Sequence, residues 1–352
     1  MKRKLYILAT IAIMVWVVSF SLSVTLGIIL TLLGMCFIGS VIVFIYLNKL
    51  LMCTNWWKNQ YNGTEQFVSN FGYRDNHIRN YDIINLGSTP ARYAFFYENI
   101  KGQSWATGSQ GQDMDFEILK YYHSYLKEGG IVIIPIMPFT AISSYIKTRD
   151  NYWGFSYFIK FYKILSYSQR HNIPDEVKHR FYLRFPLIYK PRAIIYLFHD
   201  QPIDNRFFIS EQGMDHMELL QDAKHWINLW LEEFKLRDLN NVFDETWSDY
   251  YHEAIELNKQ IVDFCIERGL KPVFMCVPMS KYLSDLFPEE VRKFLITDFV
   301  QACNDHNIPF YDYTLDSEFQ DANLYFNSFF LNLKGRKLFT HRVLSDLKCD
   351  KN

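Results

Sequence analysis

Two adjacent hydroxyl residues, Ser88 and Thr89, stand where a short apolar run ends. The run IINL (83–86) predicts a buried strand, and Gly87 permits a sharp turn directly after it. Pro90 suits the first turn of a following helix, where its missing N–H costs little. Open α/β sheets bind ligands at the carboxyl ends of their strands. The pattern therefore predicts that Ser88 and Thr89 lie in a site, as nucleophiles if a neighbouring base activates them.

The same residues also have simpler explanations. Gly87 serves as an ordinary turn residue, and Ser88 as the N-cap of the helix. A third explanation uses Arg92, one turn into that helix. Together with the backbone N–H groups after Gly87, its guanidinium would hold a phosphate or a sugar phosphate. The residues alone leave all three explanations open.

Strand and helix patterns alternate through most of the hydrophilic part of the chain. Apolar runs predict three further strands, at 131–139, 271–280 and 308–314. Helical patterns lie between and after them, at 114–127, 247–268, 289–304 and 334–347. Gly129 and Gly130 are expected to end the first of these helices. This order predicts an α/β fold with a three-layer parallel sheet, similar to flavodoxin.

The N-terminal segment predicts membrane insertion, because residues 5–48 contain no charged residue and no histidine. One helix of that length would be roughly twice the ~30 Å thickness of the hydrocarbon core. We therefore predict two transmembrane helices, about 5–21 and 25–47, with a single long tilted span as the alternative. Basic residues on both flanks place both termini, and the hydrophilic domain, on the cytoplasmic side. The sequence thus predicts four parts. Residues 1–50 form a transmembrane hairpin, and residues 51–80 form a linker. Residues 81–139 and 246–352 together form an α/β domain, which is interrupted by a helical insertion at 140–245.

The insertion is rich in aromatic residues, especially in the segments 151–165 and 180–198, where Lys and Arg are interspersed. Such segments either lie on a membrane surface or form a helical subdomain that covers one edge of the sheet. The formal net charge of −1, from 37 basic and 38 acidic residues, gives no reason to expect nucleic acid as a partner. The six cysteines show neither zinc-site nor disulfide spacing, so we expect no metal and no cofactor.

Three blocks together resemble the SGNH/GDSL hydrolase superfamily, in particular the membrane-anchored branch with the D-alanyl transfer protein of teichoic acid modification and the alginate acetylation proteins. The blocks are IINLGST (83–89), WATGSQGQD with the following helix and strand (105–136), and YFNSFFLNLKGRKLFTHRVL (325–344). The resemblance implies an SGNH-like fold with Thr89 at the nucleophile position, or Ser88 if the turn is shifted by one residue. It also implies a binding site that includes Gly87, an oxyanion hole near Gly108 and Gln110, and a loop with Asn332.

The chain departs from the family pattern at the residues that would activate the nucleophile. Aligned on Leu331 and Asn332, the third block has Phe330 at the position of the catalytic histidine and Asn327 at that of its aspartate partner. A hydroxyl without a base is a weak nucleophile, and Phe330 accepts no proton. A histidine of the insertion is the remaining candidate for a replacement base.

These observations leave three functions open. The first is an esterase or acyltransferase of envelope glycans, and the second is a catalytically inactive relative that binds a glycan or acts as a scaffold. The third is a module that binds phosphate or sugar phosphate. The resemblance implies a protein of the bacterial inner membrane, active in surface-polysaccharide biosynthesis or acyl modification. Its expected partners are the lipid bilayer, a glycan or sugar-phosphate substrate, and membrane-bound polysaccharide enzymes.

Overall fold

A computed structural model describes residues 10–18, 24–59, 68–69, 72–73, 80–98, 100–108, 110–148, 185–202 and 211–348. The chain divides into two compact units. Met1–Trp57 and Val177–Pro202 form the first unit, and Lys58–Glu176 and Ile203–Asn352 form the second. Part of the predicted insertion therefore groups with the N-terminal segment.

A long apolar helix, α1 (Val24–Cys53), dominates the first unit and is followed by the short helix α2 (Asn55–Asn59). Helix α1 is long and apolar enough to cross a membrane, with a mean hydropathy of 2.8 in its most apolar window. It contains the predicted span 25–47 and continues beyond it. Residues 10–18, within the other predicted span, are also helical, while 5–9 and 19–21 lie outside the described residues. Two membrane crossings therefore stay a prediction.

The second unit is built on a parallel five-stranded sheet, which confirms the predicted α/β class. Its strands are β3 (Tyr81–Asn85), β4 (Gly102–Ser104), β5 (Leu126–Pro135), β6 (Lys271–Cys276) and β7 (Phe310–Asp312). Their order in the sheet is β4-β3-β5-β6-β7, and every neighbouring pair is parallel. The pair β1 (Val68–Ser69) and β2 (Gly72–Tyr73) forms a separate antiparallel ladder.

Helices cover both faces of the sheet. This is seen from the strand residues, which alternate between two apolar clusters. Ile84 and Val132 belong to one cluster, whereas Ile83 and Ile133 belong to the other. The helices are α3 (Thr89–Arg92), α4 (Gln112–Tyr122), α5 (His216–Glu233), α6 (Ser248–Glu267), α7 (Lys281–Ser284), α8 (Glu289–Arg292), α9 (Phe299–Cys303) and α10 (Leu333–Asp346). A π-helical segment, Lys293–Asp298, joins α8 to α9, so residues 289–303 are helical as predicted.

The boundary between α4 and β5 differs from the prediction. Helix α4 ends at Tyr122, and β5 begins at Leu126, before the two glycines that were expected to end the helix. Gly129 lies within the strand at a φ of 68°, close to a register shift between β5 and β3. A glycine at positive φ allows such a bulge, just as it can end a helix, and here the strand has already begun at Leu126.

Candidate functional site

Gly87 forms the turn between β3 and α3, with a φ of 107°. A Cβ at this position would lie 2.8 Å from Pro135 Cγ and 3.0 Å from Ala91 Cβ. Only glycine therefore fits both the backbone conformation and the space. The pairing of β3 with β5 continues up to this turn, since the backbone N–H of Leu86 donates to Ile133 O at 3.0 Å.

Ser88 and Thr89 both line a pocket of about 320 Å³ at this end of the sheet. Ser88 occupies the N-cap position of α3, and its carbonyl accepts a hydrogen bond from the backbone N–H of Arg92 at 3.0 Å. Its side chain, however, makes no capping hydrogen bond. Helix capping thus accounts for the backbone of Ser88 and leaves its hydroxyl at the pocket.

Asp115, in the first turn of α4, supplies a buried carboxyl to the same pocket. Its Oδ1 accepts the backbone N–H of Gly87 at 2.8 Å and Nε2 of Gln110 at 2.5 Å. Burial raises the pKa of Asp115 to about 7, and the negative charge of Asp113 adds to this effect, while the two hydrogen bonds oppose it. A carboxyl with a pKa near neutrality therefore lies in the same pocket as the hydroxyl groups of Ser88 and Thr89.

Gln110, which was expected near an oxyanion hole, is buried and bonded through its side-chain amide. Its Nε2 also donates to Trp105 O at 3.2 Å, so the amide is held by two acceptors. Gln110 lines the pocket, as do Gly87, Ser88 and Thr89. Four of the predicted site residues thus come together around one cavity.

Four aromatic side chains, which we call the aromatic wall, line the same pocket. They are Trp226 and Trp230 from α5 and Phe329 and Phe330 from the loop before α10. The Trp226 ring lies 5.4 Å from that of Phe330 and 5.3 Å from that of Phe329, both edge to face. Phe330, at the expected histidine position, is therefore a packed member of the wall and also contacts the Tyr93 ring at 5.3 Å.

Asn327, at the expected aspartate position, has a structural role in the loop. Its Oδ1 accepts the backbone N–H groups of Phe329 at 2.9 Å and Phe330 at 2.7 Å. These bonds fix the turn that presents the two phenyl rings to the pocket. The described residues that line the pocket include no histidine, lysine or arginine. Three acidic residues do line it: Asp113, Asp115 and Glu233.

Arg92, Gly108 and Asn332, the other predicted binding residues, are not among the described residues that line the pocket. Arg92 is buried with its guanidinium 5.2 Å from the centre of the Tyr93 ring, and burial lowers its pKa to about 10. A Cβ at Gly108 would lie 3.5 Å from Thr89 Oγ1, so this glycine is close to the turn.

Asn332 is the N-cap of α10. Its Oδ1 accepts the backbone N–H of Gly335 at 3.0 Å, and its Nδ2 donates to Asn323 O at 2.8 Å and Glu211 O at 3.2 Å. The side chain is fully buried. All its polar atoms are thus used to connect loops to a helix end, which explains the Leu-Asn pair of the third block without a ligand.

The sequence reasoning missed Asp115 and the two tryptophans of α5. Asp115 carried a signal, because Ile118, Leu119 and Tyr122 follow it at helical spacing. An acidic residue on the apolar face of a helix is unusual and points to a buried carboxyl. Trp226 and Trp230 share a face of α5, but nothing local showed that this face meets the carboxyl ends of the strands. No protein-family model matches the chain, and no curated protein matches it at a significant level.

Proposed function

We propose that this chain is a membrane-anchored, SGNH-like protein of bacterial surface-polysaccharide biosynthesis or modification, and that its pocket binds a saccharide. The observation that carries the proposal is that polar and aromatic side chains line the same pocket. Ser88, Thr89, Gln110 and Asp115 supply hydrogen-bond donors and acceptors. The aromatic wall of Trp226, Trp230, Phe329 and Phe330 supplies ring surface.

A sugar ring suits such a pocket because it has two kinds of surface. Its hydroxyl groups donate and accept hydrogen bonds, and its C–H groups carry a small positive charge that is attracted to the negative face of an aromatic ring. The acidic lining residues and the lack of basic ones among the described part of the lining favour a neutral or cationic ligand. Support for a sugar phosphate is therefore weak, since Arg92 is packed against Tyr93.

The SGNH-like part of the proposal is supported by the positions of the blocks in the fold. IINLGST forms a strand and a tight turn at the carboxyl end of that strand, and the loop with Phe330 reaches the same pocket. Binding without triad catalysis follows from Phe330, which accepts no proton, and from Asn327, whose acceptor oxygen is used by the backbone.

Calorimetric titration of the full-length protein tests saccharide binding. The ligands are oligosaccharides from bacterial capsules and envelope glycans, with and without O-acetyl groups. We expect binding by at least one of them, weakened at least tenfold by Trp226→Ala and by Ser143→Trp, which fills the pocket. Tyr121→Ala, an exposed aromatic residue of α4 outside the pocket lining, is the matched control and should bind normally. Equal binding by all four proteins would place the saccharide elsewhere and contradict the proposal.

A second candidate function, acyl transfer or ester hydrolysis, is favoured by one observation. Asp115 is a carboxyl with a pKa of about 7 in the same pocket as Ser88. In this mechanism the Asp115 carboxylate takes the proton of the Ser88 hydroxyl as Oγ attacks an ester carbonyl carbon. The bond to the leaving alcohol breaks, and that alcohol receives the proton from Asp115. Water or a sugar hydroxyl then removes the acyl group from Ser88 in the reverse sequence.

Intact-mass analysis after treatment with a fluorophosphonate probe separates the two functions. If Ser88 is activated, the wild-type protein forms an adduct that Ser88→Ala and Asp115→Asn lose and Thr89→Ala keeps. If the protein only binds saccharides, the folded wild type forms no adduct beside a labelled control hydrolase. Loss of the adduct in Thr89→Ala alone would assign the nucleophile to Thr89.

The orientation in the membrane is the remaining part of the proposal. Basic residues flank the apolar segment on both sides, and Trp16 Nε1 donates to Thr31 Oγ1 at 2.7 Å, as expected for two adjacent spans. We place the α/β domain on the cytoplasmic side of the inner membrane, where membrane-bound polysaccharide enzymes are its expected partners. An alkaline phosphatase fused after Asn352 should then be inactive, and an active fusion would reverse the orientation.

A further inference from the structure

A short apolar segment is fixed against the end of α1. We call residues 185–198 the collar; it contains a one-turn helix, Pro186–Tyr189, and a 3₁₀ helix, Pro191–Leu197. Oδ1 of the buried Asn48 accepts the backbone N–H of Leu187 at 3.0 Å. The ring of Phe185 stacks on that of Phe44, with centroids 5.7 Å apart.

Further contacts connect the collar to the start of α2. The rings of Tyr196 and Trp56 stack with centroids 5.1 Å apart and an angle of 12° between their planes. Directly after the collar, the carboxylate of Asp200 accepts the backbone N–H groups of Asn55 at 2.6 Å and Trp56 at 2.9 Å. The position of the collar along α1 is therefore set by buried and oriented contacts.

The contact point on α1 lies one hydrocarbon-core thickness from the start of the helix. From Val24 to Phe44 the helix advances 20 residues, or about 30 Å, which equals the thickness of that core. Lys49, the first charged residue after the apolar stretch, follows within two turns. A bilayer that contains residues 24–44 therefore ends close to the level at which the collar packs.

The outward surface of the collar is apolar. Ile188, Ile194, Ile195 and Phe198 are 48%, 40%, 55% and 77% exposed. Lys190 and Arg192 are exposed between them, and Trp56 and Tyr196 lie beneath. Apolar side chains with nearby basic groups and amphipathic aromatic rings are typical of segments that lie in the interfacial zone of a membrane.

We propose that the collar lies in the interface of the same bilayer that α1 crosses. Ile188, Ile194, Ile195 and Phe198 enter the boundary between headgroups and acyl chains, and Lys190 and Arg192 face the lipid phosphates. Lipid is favoured over a protein as the occupant because the collar packs directly on the apolar helix α1 and its charges match anionic headgroups. This inference rests on the proposed membrane anchorage and adds a second attachment, which fixes the rotation of the first unit about α1.

Depth-dependent fluorescence quenching in the full-length protein tests the inference. Cys36, Cys53 and Cys349 are replaced by serine, and single cysteines labelled with the environment-sensitive dye NBD are introduced by Ile195→Cys, Phe198→Cys, Leu33→Cys and Asp285→Cys. The proteins are reconstituted in vesicles of phosphatidylethanolamine and phosphatidylglycerol. Leu33 is a 60% exposed residue of α1 and reports on anchorage, and the exposed Asp285 in the second unit gives the water reference.

We expect labels at 195 and 198 to emit at shorter wavelength than the label at 285. Nitroxide lipids labelled near the headgroup should quench them at least twice as strongly as lipids labelled near the chain end. The label at 33 should show the opposite preference. Arg192→Gln should reduce headgroup quenching at 198 in these vesicles but not in vesicles of phosphatidylcholine alone.

If lipid quenches the label at 33, the membrane anchorage is supported, and two results at 198 would still overturn the inference. The first is emission at the wavelength typical of water. The second is emission at short wavelength without quenching by lipid, which would show that protein covers the collar. If the label at 33 is itself not quenched by lipid, the proposed anchorage fails and the collar inference fails with it.

Discussion

The backbone N–H of Gly87 donates a hydrogen bond to Oδ1 of Asp115 at 2.8 Å, and so connects the turn that holds Ser88 to the first turn of α4. Because Gly87 directly precedes Ser88, this bond fixes an ionisable carboxyl to the turn that carries the hydroxyl pair. Gln110 bonds to the same oxygen atom, so both donors lie on one side of the carboxyl.

The stability of the fold should depend on the charge of Asp115. Its pKa rises from 3.8 to about 7 on folding, so between these values the folded protein holds a proton that the unfolded chain has lost. Raising the pH in this window therefore favours unfolding, by up to ~1.4 kcal/mol per pH unit. Asp115→Asn keeps an acceptor oxygen and removes the charge, so its advantage over wild type should grow from pH 4 to pH 7 and then stay constant.

Thermal unfolding followed by circular dichroism in detergent measures this difference. The exposed residue Asp285 provides the control, because Asp285→Asn removes a carboxylate at the surface and should follow the wild-type curve. Parallel curves for wild type and Asp115→Asn from pH 4 to pH 8 would be incompatible with a carboxyl that titrates near 7.

Substitution of two glycines at positive φ, Gly87 and Gly269, allows the cost of backbone strain to be compared with the cost of a steric collision. Gly269→Ala places a Cβ in open space at a φ of 67°, so it should lower the free energy of unfolding by roughly 1–2 kcal/mol. Gly87→Ala adds a collision with Pro135 and Ala91, and should cost roughly 2–5 kcal/mol. Chemical unfolding of both variants checks the order, and equal losses would mean that the turn relaxes to accept the methyl group.

The cap of α10 should matter for stability and not for ligand binding. Asn332→Ala removes the bond to Gly335 and leaves two carbonyl oxygens without their donor, a loss of roughly 2–4 kcal/mol. Asp215→Ala removes a solvent-exposed N-cap from α5 and should cost only about 1 kcal/mol. Unfolding midpoints and saccharide titration of both variants test this. Weaker binding by a stable, folded Asn332→Ala protein would return Asn332 to the binding site.

The identity of residue 330 should decide whether Ser88 is activated by a histidine. In Phe330→His with Asn327→Asp, the new aspartate can still accept the backbone N–H groups of the loop and can orient the imidazole. We expect at least tenfold more fluorophosphonate adduct on Ser88 than in wild type, and less in Phe330→His alone. Phe330→Leu controls for the loss of ring packing. A folded double variant without any adduct would argue against the SGNH-like geometry.

Local sequence was enough to predict the apolar helix α1, the strands β3, β5, β6 and β7, and the turn at Gly87. Each depends on neighbours within a few residues: an uncharged run, an alternation of apolar segments with helical patterns, and one glycine at a strand end. Dependence on local sequence also explains the wrong prediction at 129–130. Two adjacent glycines predicted the end of a helix there, although they lie in a bulged strand. Turn chemistry alone does not distinguish these two uses of glycine.

The composition of the pocket was decided by the tertiary structure. Trp226 and Trp230 are more than 130 residues from Ser88 in the chain, and only the packing of α5 brings them to the carboxyl ends of the strands. Burial, which raises the pKa of Asp115, is likewise a property of the assembled core and of no short segment. The sequence by itself determined which residues can form a turn, cross a membrane or make hydrogen bonds. Long-range packing decided which of them line the same cavity, because that depends on contacts between segments far apart in the chain.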